Sequence, residues 1–283
     1  MQNLKFTKMH GNGNDFVIID EFDEVLIPEN KKKEFVKAVS HRKFGIGADG
    51  VIFIQKSKRY DAKFRYFNSD GSEAEMCGNG VRCLARYLFE EKIKKNKLTI
   101  ETKAGPVKVE IKNGSVFRVK LGSPRLKWNE IPATYSTKIP WKKRLEIDNF
   151  AFDIYALRLC VPHAVIVVND FDFNLKEIGR KIRFNENFPE GVNVNFVKVL
   201  SKSKLIVKTY ERGVEDITLS CGTGCGASVS LLHLLKISSN YVEIITDGGV
   251  LYIEVKNNSV YLEGAVKRVF DGYIKLPELN FNF

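Results

Sequence analysis

The sequence predicts an α+β protein made of two copies of one domain, on three observations. A repeat runs along the chain at an offset of 144 residues, relating Phe44 to Phe188, Gly47 to Gly191, Tyr66 to Tyr210, Leu88 to Leu232 and Gly105 to Gly249. Its densest match sets Glu110-Ile111-Lys112-Asn113 and Ser115-Val116 on Glu254-Val255-Lys256-Asn257 and Ser259-Val260. The third observation is a Cys-Gly-x-Gly segment ahead of a helical pattern in each copy, Cys77-Gly78-Asn79-Gly80 and Cys221-Gly222-Thr223-Gly224. Strands, turn and motif in one shared register mark a duplicated unit.

Taken in order, Phe16–Asp20 reads as a strand, and at an offset of 149 Asp15 to Asp20 matches Ala164 to Asn169. A charged helix is expected from about Asn30 to Arg42, then a glycine-rich turn from Gly45 to Gly50 and a strand over Val51–Gln55. Residues 62–68 form a further strand before the Cys77 turn. The helix after that turn carries Val81, Leu84, Ala85 and Leu88 at i, i+3, i+4, i+7, one apolar face. Leu98–Thr102, Val107–Lys112 and Val116–Leu121 read as strands, the last two joined by an Asn113-Gly114 hairpin turn. In the second copy the helix from Ala227 to Leu235 is apolar nearly all round, so it is expected to be buried with sheet wrapped around it. Pro124, Pro132 and Pro140 mark Ser123 to Pro140 as the boundary. The expected domains are 1–122 and 123–268, with 269–283 returning to the first.

Composition narrows the function. The chain has 283 residues, 44% apolar and 28% charged, which is globular composition. Its formal charge of +11 is spread over scattered Lys and Arg with acids between them. No basic stripe interleaved with aromatics and no helix-turn-helix, RRM or zinc-finger spacing is present, so the charge reads as a solvated basic surface that could help attract an acidic small molecule, and nucleic acid is not the expected partner. No apolar run reaches membrane-span length and the start, Met1-Gln2-Asn3-Leu4-Lys5, lacks a signal-peptide core. With five cysteines, reduced thiols in the cytoplasm are the expectation.

A thiol at the opening of a helix lies beside unbonded backbone N–H groups, a place that binds anions and is expected to lower the thiol pKa. Two equivalent thiols could remove a proton from one face of a carbon and return one to the other, inverting a stereocentre. The helix openings would hold the substrate's carboxylate and stabilise charge at the carbanion. A Cys–His hydrolase using His163 is the rival, and it leaves the second cysteine turn without a role. Cys83 and Cys160 lie in apolar stretches and read as core residues, and Cys225 is ambiguous. No C-x-x-C with a matching pair is present, so no metal is expected. Gly45-Ile46-Gly47-Ala48-Asp49-Gly50 spells a dinucleotide fingerprint, but a helix precedes it and a strand follows. It therefore reads as a helix-to-strand turn.

The chain also resembles the diaminopimelate epimerase family of PLP-independent amino-acid racemases over nearly its whole length. The resemblance is carried by Met9-His10-Gly11 with Gly13-Asn14-Asp15-Phe16, by Gly45 to Gly50, and by Phe67-Asn68 with Asp70-Gly71-Ser72. It continues in Met76 to Cys83, Pro162-His163-Ala164-Val165, Asn193-Val194, Tyr210-Glu211-Arg212-Gly213 and Cys221 to Gly224. It implies two pseudo-symmetric domains, each a mixed, curled, barrel-like sheet around a central helix, with the active site in the cleft between them. It implies cofactor-free conversion of LL- to meso-diaminopimelate by Cys77 and Cys221, in lysine and peptidoglycan biosynthesis, by a homodimer. Carried over by residue, Asn14, Asn68, Asn193, Glu211 and Arg212 bind substrate. The backbones of Gly78, Asn79, Gly222 and Thr223 anchor the α-carboxylate. His163 and Glu211 are the auxiliary pair that sets thiol protonation.

There are three departures from the family pattern. Cys160-Val161 stands where the family usually has Gly-Asn before Pro162-His163, removing one polar contact to the substrate's distal end. Glu211 to Cys221 is ten steps, one more than usual, and Cys225 replaces a small residue such as Ala. A lost hydrogen-bonding contact can change specificity by orders of magnitude. A racemase for lysine or a broader set of long polar amino acids is thus the alternative, with a non-catalytic binding protein on the same fold behind it.

Overall fold

The structure, a computed structural model, describes residues 3–112 and 114–276. Asn113 of the expected hairpin turn and residues 277–283 of the expected C-terminal return lie outside the described residues. The chain divides into two compact units. One runs to Val119 and resumes at Gly264, and the other is Lys120–Glu263.

In the first unit β1 (Asn3–Gly11) pairs antiparallel with β2 (Asn14–Glu21), and β2 runs parallel to β3 (Gly50–Gln55) with Phe16 opposite Gly50. A parallel pair needs a crossover, supplied here by α1 (Glu29–Ser40), which buries Phe35, Val36 and Val39. Its return is the Gly45–Gly50 turn. A Cβ on Gly45 would fall 2.2 Å from the carbonyl oxygen of Ala38, so only glycine fits there. Antiparallel β4 (Ala62–Asn68) and the short β5 (Glu73–Ala74) follow, then α2 (Gly78–Glu91). Next, β6 (Lys97–Thr102) lies parallel to β4, and β7 (Gly105–Ile111) and β8 (Val116–Gly122) continue antiparallel.

The second unit repeats this order. After β9 (Trp141–Ile147), β10 (Phe150–Leu159) pairs antiparallel with β11 (Val161–Val168), which runs parallel to β12 (Asn193–Ser201) across α3 (Leu175–Arg183). Antiparallel β13 (Lys204–Glu211) and β14 (Asp216–Thr218) come next, then α4 (Gly222–Leu234). Here β15 (Tyr241–Thr246) is parallel to β13, and β16 (Gly249–Lys256) is antiparallel to β15, with β17 (Ser259–Ala265) next along the chain. The closing β18 (Lys267–Lys275) belongs to the first unit, where it pairs antiparallel with β1. The same alternation of antiparallel and parallel pairs thus occurs twice.

Each sheet curls around its second helix. In the first unit α2 packs on β1, β2, β3, β4 and β7, burying Val81, Cys83, Leu84, Ala85 and Leu88. In the second, α4 packs on β10, β11, β12, β13 and β16, buried nearly all round as its composition predicts. It begins five residues earlier than expected, because the glycines after Cys221 are themselves its first turn. The crossover helices cover the outer faces. On α3, Gly179 lets the helix approach Tyr210 so closely that a Cβ would lie 2.7 Å from it. Residues Ile131 and Ala133 of the expected boundary segment are buried in the core of the second unit with Trp141.

Candidate active site

Cys77 is the N-cap of α2. Its backbone is extended (φ −142°, ψ 116°), its Sγ accepts from the Gly80 N–H at 3.4 Å, and its carbonyl accepts from Val81 N–H at 2.8 Å. The N–H groups of Gly78 and Asn79 therefore open the helix beside the sulfur, where no intrahelical carbonyl reaches them. No acidic side chain stands in that first turn to compete for them. Asn14, at the start of β2, brings its Oδ1 to 3.7 Å from Cys77 Sγ and 3.3 Å from Asn79 Nδ2. Asn79 is fixed from its other side by Arg82, fully buried, whose Nη2 donates to Asn79 Oδ1 at 2.6 Å. Asn68 ends β4 opposite Gly50. Its Nδ2 donates to Ser72 Oγ at 3.0 Å, and its backbone N–H donates to the Ser72 carbonyl at 2.9 Å, closing the turn between them.

Cys221 caps α4 in the same extended conformation (φ −115°, ψ 104°), and its carbonyl accepts from Cys225 N–H at 2.9 Å. Gly222 and Thr223 open this helix, again with no acid in the first turn, and Thr223 Oγ1 lies 3.5 Å from the Cys221 sulfur. The expectation of a lowered thiol pKa fails at Cys221. Burial raises it well above its ordinary value, and the nearby Glu211 carboxylate raises it further. The opposing hydrogen bonds from Thr223 and Gly224 are outweighed. Cys221 is only 5% exposed, and desolvation disfavours a thiolate more than the helix opening favours it.

Glu211 and Arg212 stand at the end of β13. The Arg212 N–H donates to Asn193 Oδ1 at 2.7 Å, and its Nη1 donates to the Glu190 carbonyl at 3.0 Å. Burial first and the Arg183 guanidinium second lower the Arg212 pKa, a concentration of positive charge suited to an anion. Asn193, which opens β12, lies opposite His163 in the parallel register. His163 is fully buried. Burial above all, then the charge of Arg212, lowers its pKa to about 3, against a backbone contact with Leu159. The ring is neutral at physiological pH.

The structure therefore gathers Asn14, Asn79 and Gly78 around Cys77, and Glu211, Gly222 and Thr223 around Cys221. Arg212, Asn193 and His163 form a connected group on adjoining strand ends of the second unit, and Asn68 sits in its own turn. The expectation that Cys160 is a core residue is corrected. It occupies the β10–β11 turn at φ 61°, is exposed, and its Sγ lies 3.2 Å from the Leu121 carbonyl oxygen. The apolar residues on either side mark two strands, and the turn between them faces out. Cys83 and Cys225 are buried.

Sequence reasoning missed Asn195, Thr209, Asp49 and Arg82 as parts of the site. Asn195 Nδ2 donates to the Ala164 carbonyl and to His163 Nδ1, and Thr209 Oγ1 donates to Asn195 Oδ1 at 3.0 Å. The available signal was a second Asn in the apolar run Val192 to Val197, since a buried amide needs partners. Among the described residues no group of three or more His, Cys, Asp or Glu is placed to hold a metal ion, and no helix is long and apolar enough to cross a membrane.

A family model described as diaminopimelate epimerase matches residues 6–127 and 155–269. A diaminopimelate epimerase of Archaeoglobus fulgidus is 48% identical over 281 residues, covering 99% of both chains. One from Methanothrix thermoacetophila is 42% identical over 277 residues, covering 97% of both. Among solved structures, the phenazine biosynthesis protein of the PhzF family from Bacillus anthracis superposes with a TM-score of 0.68. It is 16% identical, covering 97% of this chain and 99% of that one, which speaks for the fold alone.

Proposed function

The chain belongs to the diaminopimelate epimerase family, and we propose that it interconverts LL- and meso-diaminopimelate by two-base proton transfer at one α-carbon. The observation that carries the proposal is the pair of cysteine N-caps, each on a helix whose first turn holds no acid. In this reading Gly78 and Asn79, with Gly222 and Thr223, present N–H groups to the substrate's α-carboxylate and stabilise charge as the carbanion forms. One cysteine, as thiolate, accepts the α-proton and becomes a thiol. The other, as thiol, gives its proton to the opposite face and becomes a thiolate. The roles exchange with the direction of reaction. Burial, and after it the Glu211 carboxylate, favour Cys221 in its protonated form. The Arg212 and Asn193 group, with Asn14 and Asn68, is assigned to substrate binding, and neutral His163 to positioning. No cofactor enters. From the resemblance, we place the enzyme in the cytoplasm as a homodimer, and a monomer by sedimentation at assay concentration would remove the dimer.

Val161 favours one second reading, a racemase of the same mechanism acting on lysine or a broader set of long polar amino acids. The deciding experiment incubates the reduced protein with L,L-diaminopimelate, L-lysine or L-histidine in D2O and follows α-deuteration by NMR. Exchange with diaminopimelate is expected. Exchange with lysine alone would move the substrate assignment, and no exchange with any of them would end the racemase reading.

A further inference from the structure

The amide of Asn14 is held from both ends. Its Nδ2 donates to Asp49 Oδ2 at 2.7 Å, and the same oxygen accepts the backbone N–H of Asp15 at 3.1 Å. Asp49 is itself held in place. Arg42 Nη2 donates to its Oδ1 at 2.7 Å, its own N–H donates to Asp15 Oδ1 at 3.0 Å, and its carbonyl accepts from Ser69 N–H. Arg42 also bridges to Asp15, which Lys8 grips from the far side at 2.6 Å.

A primary amide has a donor end and an acceptor end. With the NH2 of Asn14 on the Asp49 carboxylate, its carbonyl has to face the other way, toward Cys77 Sγ and Asn79 Nδ2. The reversed amide would set an oxygen against a carboxylate and an NH2 against an NH2. Asn79 cannot turn to relieve this, because Arg82 holds its Oδ1. The titratable and charged groups around the pair include Lys8, Asp15 and Arg42 behind Asp49, His10 opposite Asp15 on β1, Arg82 behind Asn79, and Cys83 close to Cys77.

We propose that Asp49 is a positioning residue for the reaction: by orienting Asn14 it keeps a carbonyl acceptor on Cys77, directing the Cys77 S–H while that thiol is protonated. The assignment of Cys77 as an acid–base group rests on the function proposed above, but the geometry can be tested without substrate.

The test measures iodoacetamide alkylation at the Cys77 peptide by mass spectrometry across pH 6–10, for the wild type and for Asp49→Leu, Asp49→Asn and Asn14→Leu. In Asp49→Leu, Asn14 loses its anchor and can turn its NH2 to the sulfur, favouring thiolate. Alkylation at neutral pH should rise about fivefold, the scale of one hydrogen bond. Asn14→Leu should give a similar rise, with no further change when Asp49→Leu is added. Asp49→Asn removes the charge but keeps an acceptor oxygen for Asn14, so it should return the profile close to wild type. Equal shifts in the Leu and Asn variants would assign the effect to the carboxylate's field and overturn the proposal, as would a wild-type profile in Asp49→Leu. If Asp49→Leu does not fold, Asp49→Ala takes its place. A wild-type protein without α-exchange would sink the epimerase reading and leave this test standing.

Discussion

The side-chain amide of Asn195 donates to His163 Nδ1 at 3.2 Å, which sets the imidazole proton on Nε2. The orientation of Asn195 is in turn settled by Ala164, whose carbonyl accepts from the same Nδ2, and by Thr209, which donates to its Oδ1. This network lies against the first turn of α4. A Cβ on Gly224 would fall 2.2 Å from Asn195 Oδ1 and 3.1 Å from Thr209 Oγ1.

Gly224→Ala should therefore disrupt the His163 network as well as the packing. We expect a loss of about 2–3 kcal/mol in urea denaturation and a fall in epimerisation. In the matching Gly80→Ala the nearest atoms to the new Cβ are in the Phe64 ring at 3.1 Å and Ile52 Cδ1 at 3.3 Å, side-chain ends that can shift by tenths of an ångström. This substitution should cost less. Equal losses in the two variants would separate Asn195 from the effect.

Glu211→Gln should make Cys221 alkylate at lower pH. Burial is the larger cause of the raised thiol pKa and remains, but the carboxylate's repulsion of a thiolate goes. The check is the pH midpoint of Cys221 alkylation in both proteins. An unmoved or higher midpoint would show that Glu211 has no electrostatic hold on the thiol.

Asp15 predicts a defined acid sensitivity. Burial pushes its pKa up, but hydrogen bonds and charge from Arg42 and Lys8 prevail and hold it at about 2. A carboxylate with a depressed folded pKa contributes stability above its unfolded value near 4, and loses it as pH falls toward 2. From that shift the contribution is about 2 kcal/mol. In Asp15→Asn, the stability difference between pH 6 and pH 2 should shrink by that amount. An unchanged difference would place the acid sensitivity elsewhere.

The duplication and the two cysteine turns were legible because they rest on local chemistry and period. Glycines are needed where the helix opening lies on the sheet, and apolar spacing marks α2 and α4. The protonation of Cys221 was not legible, since its burial and its approach to Glu211 come from β13 and α4 meeting across ten residues of chain. The hold of Asp49 on Asn14 was hidden in the same way. Those residues are 35 positions apart and meet only because β2 and β3 run parallel with their starts together. Cys160 misled for the opposite reason, because its apolar neighbours belong to strands and the residue itself to the turn between them.

The central claim is that Cys77 and Cys221 are both acid–base groups in one reaction. Conversion of LL- to meso-diaminopimelate by reduced, folded Cys77→Ala and Cys221→Ala tests it most directly. The account predicts that neither variant completes the inversion while the wild type does. Wild-type turnover by either one would contradict it.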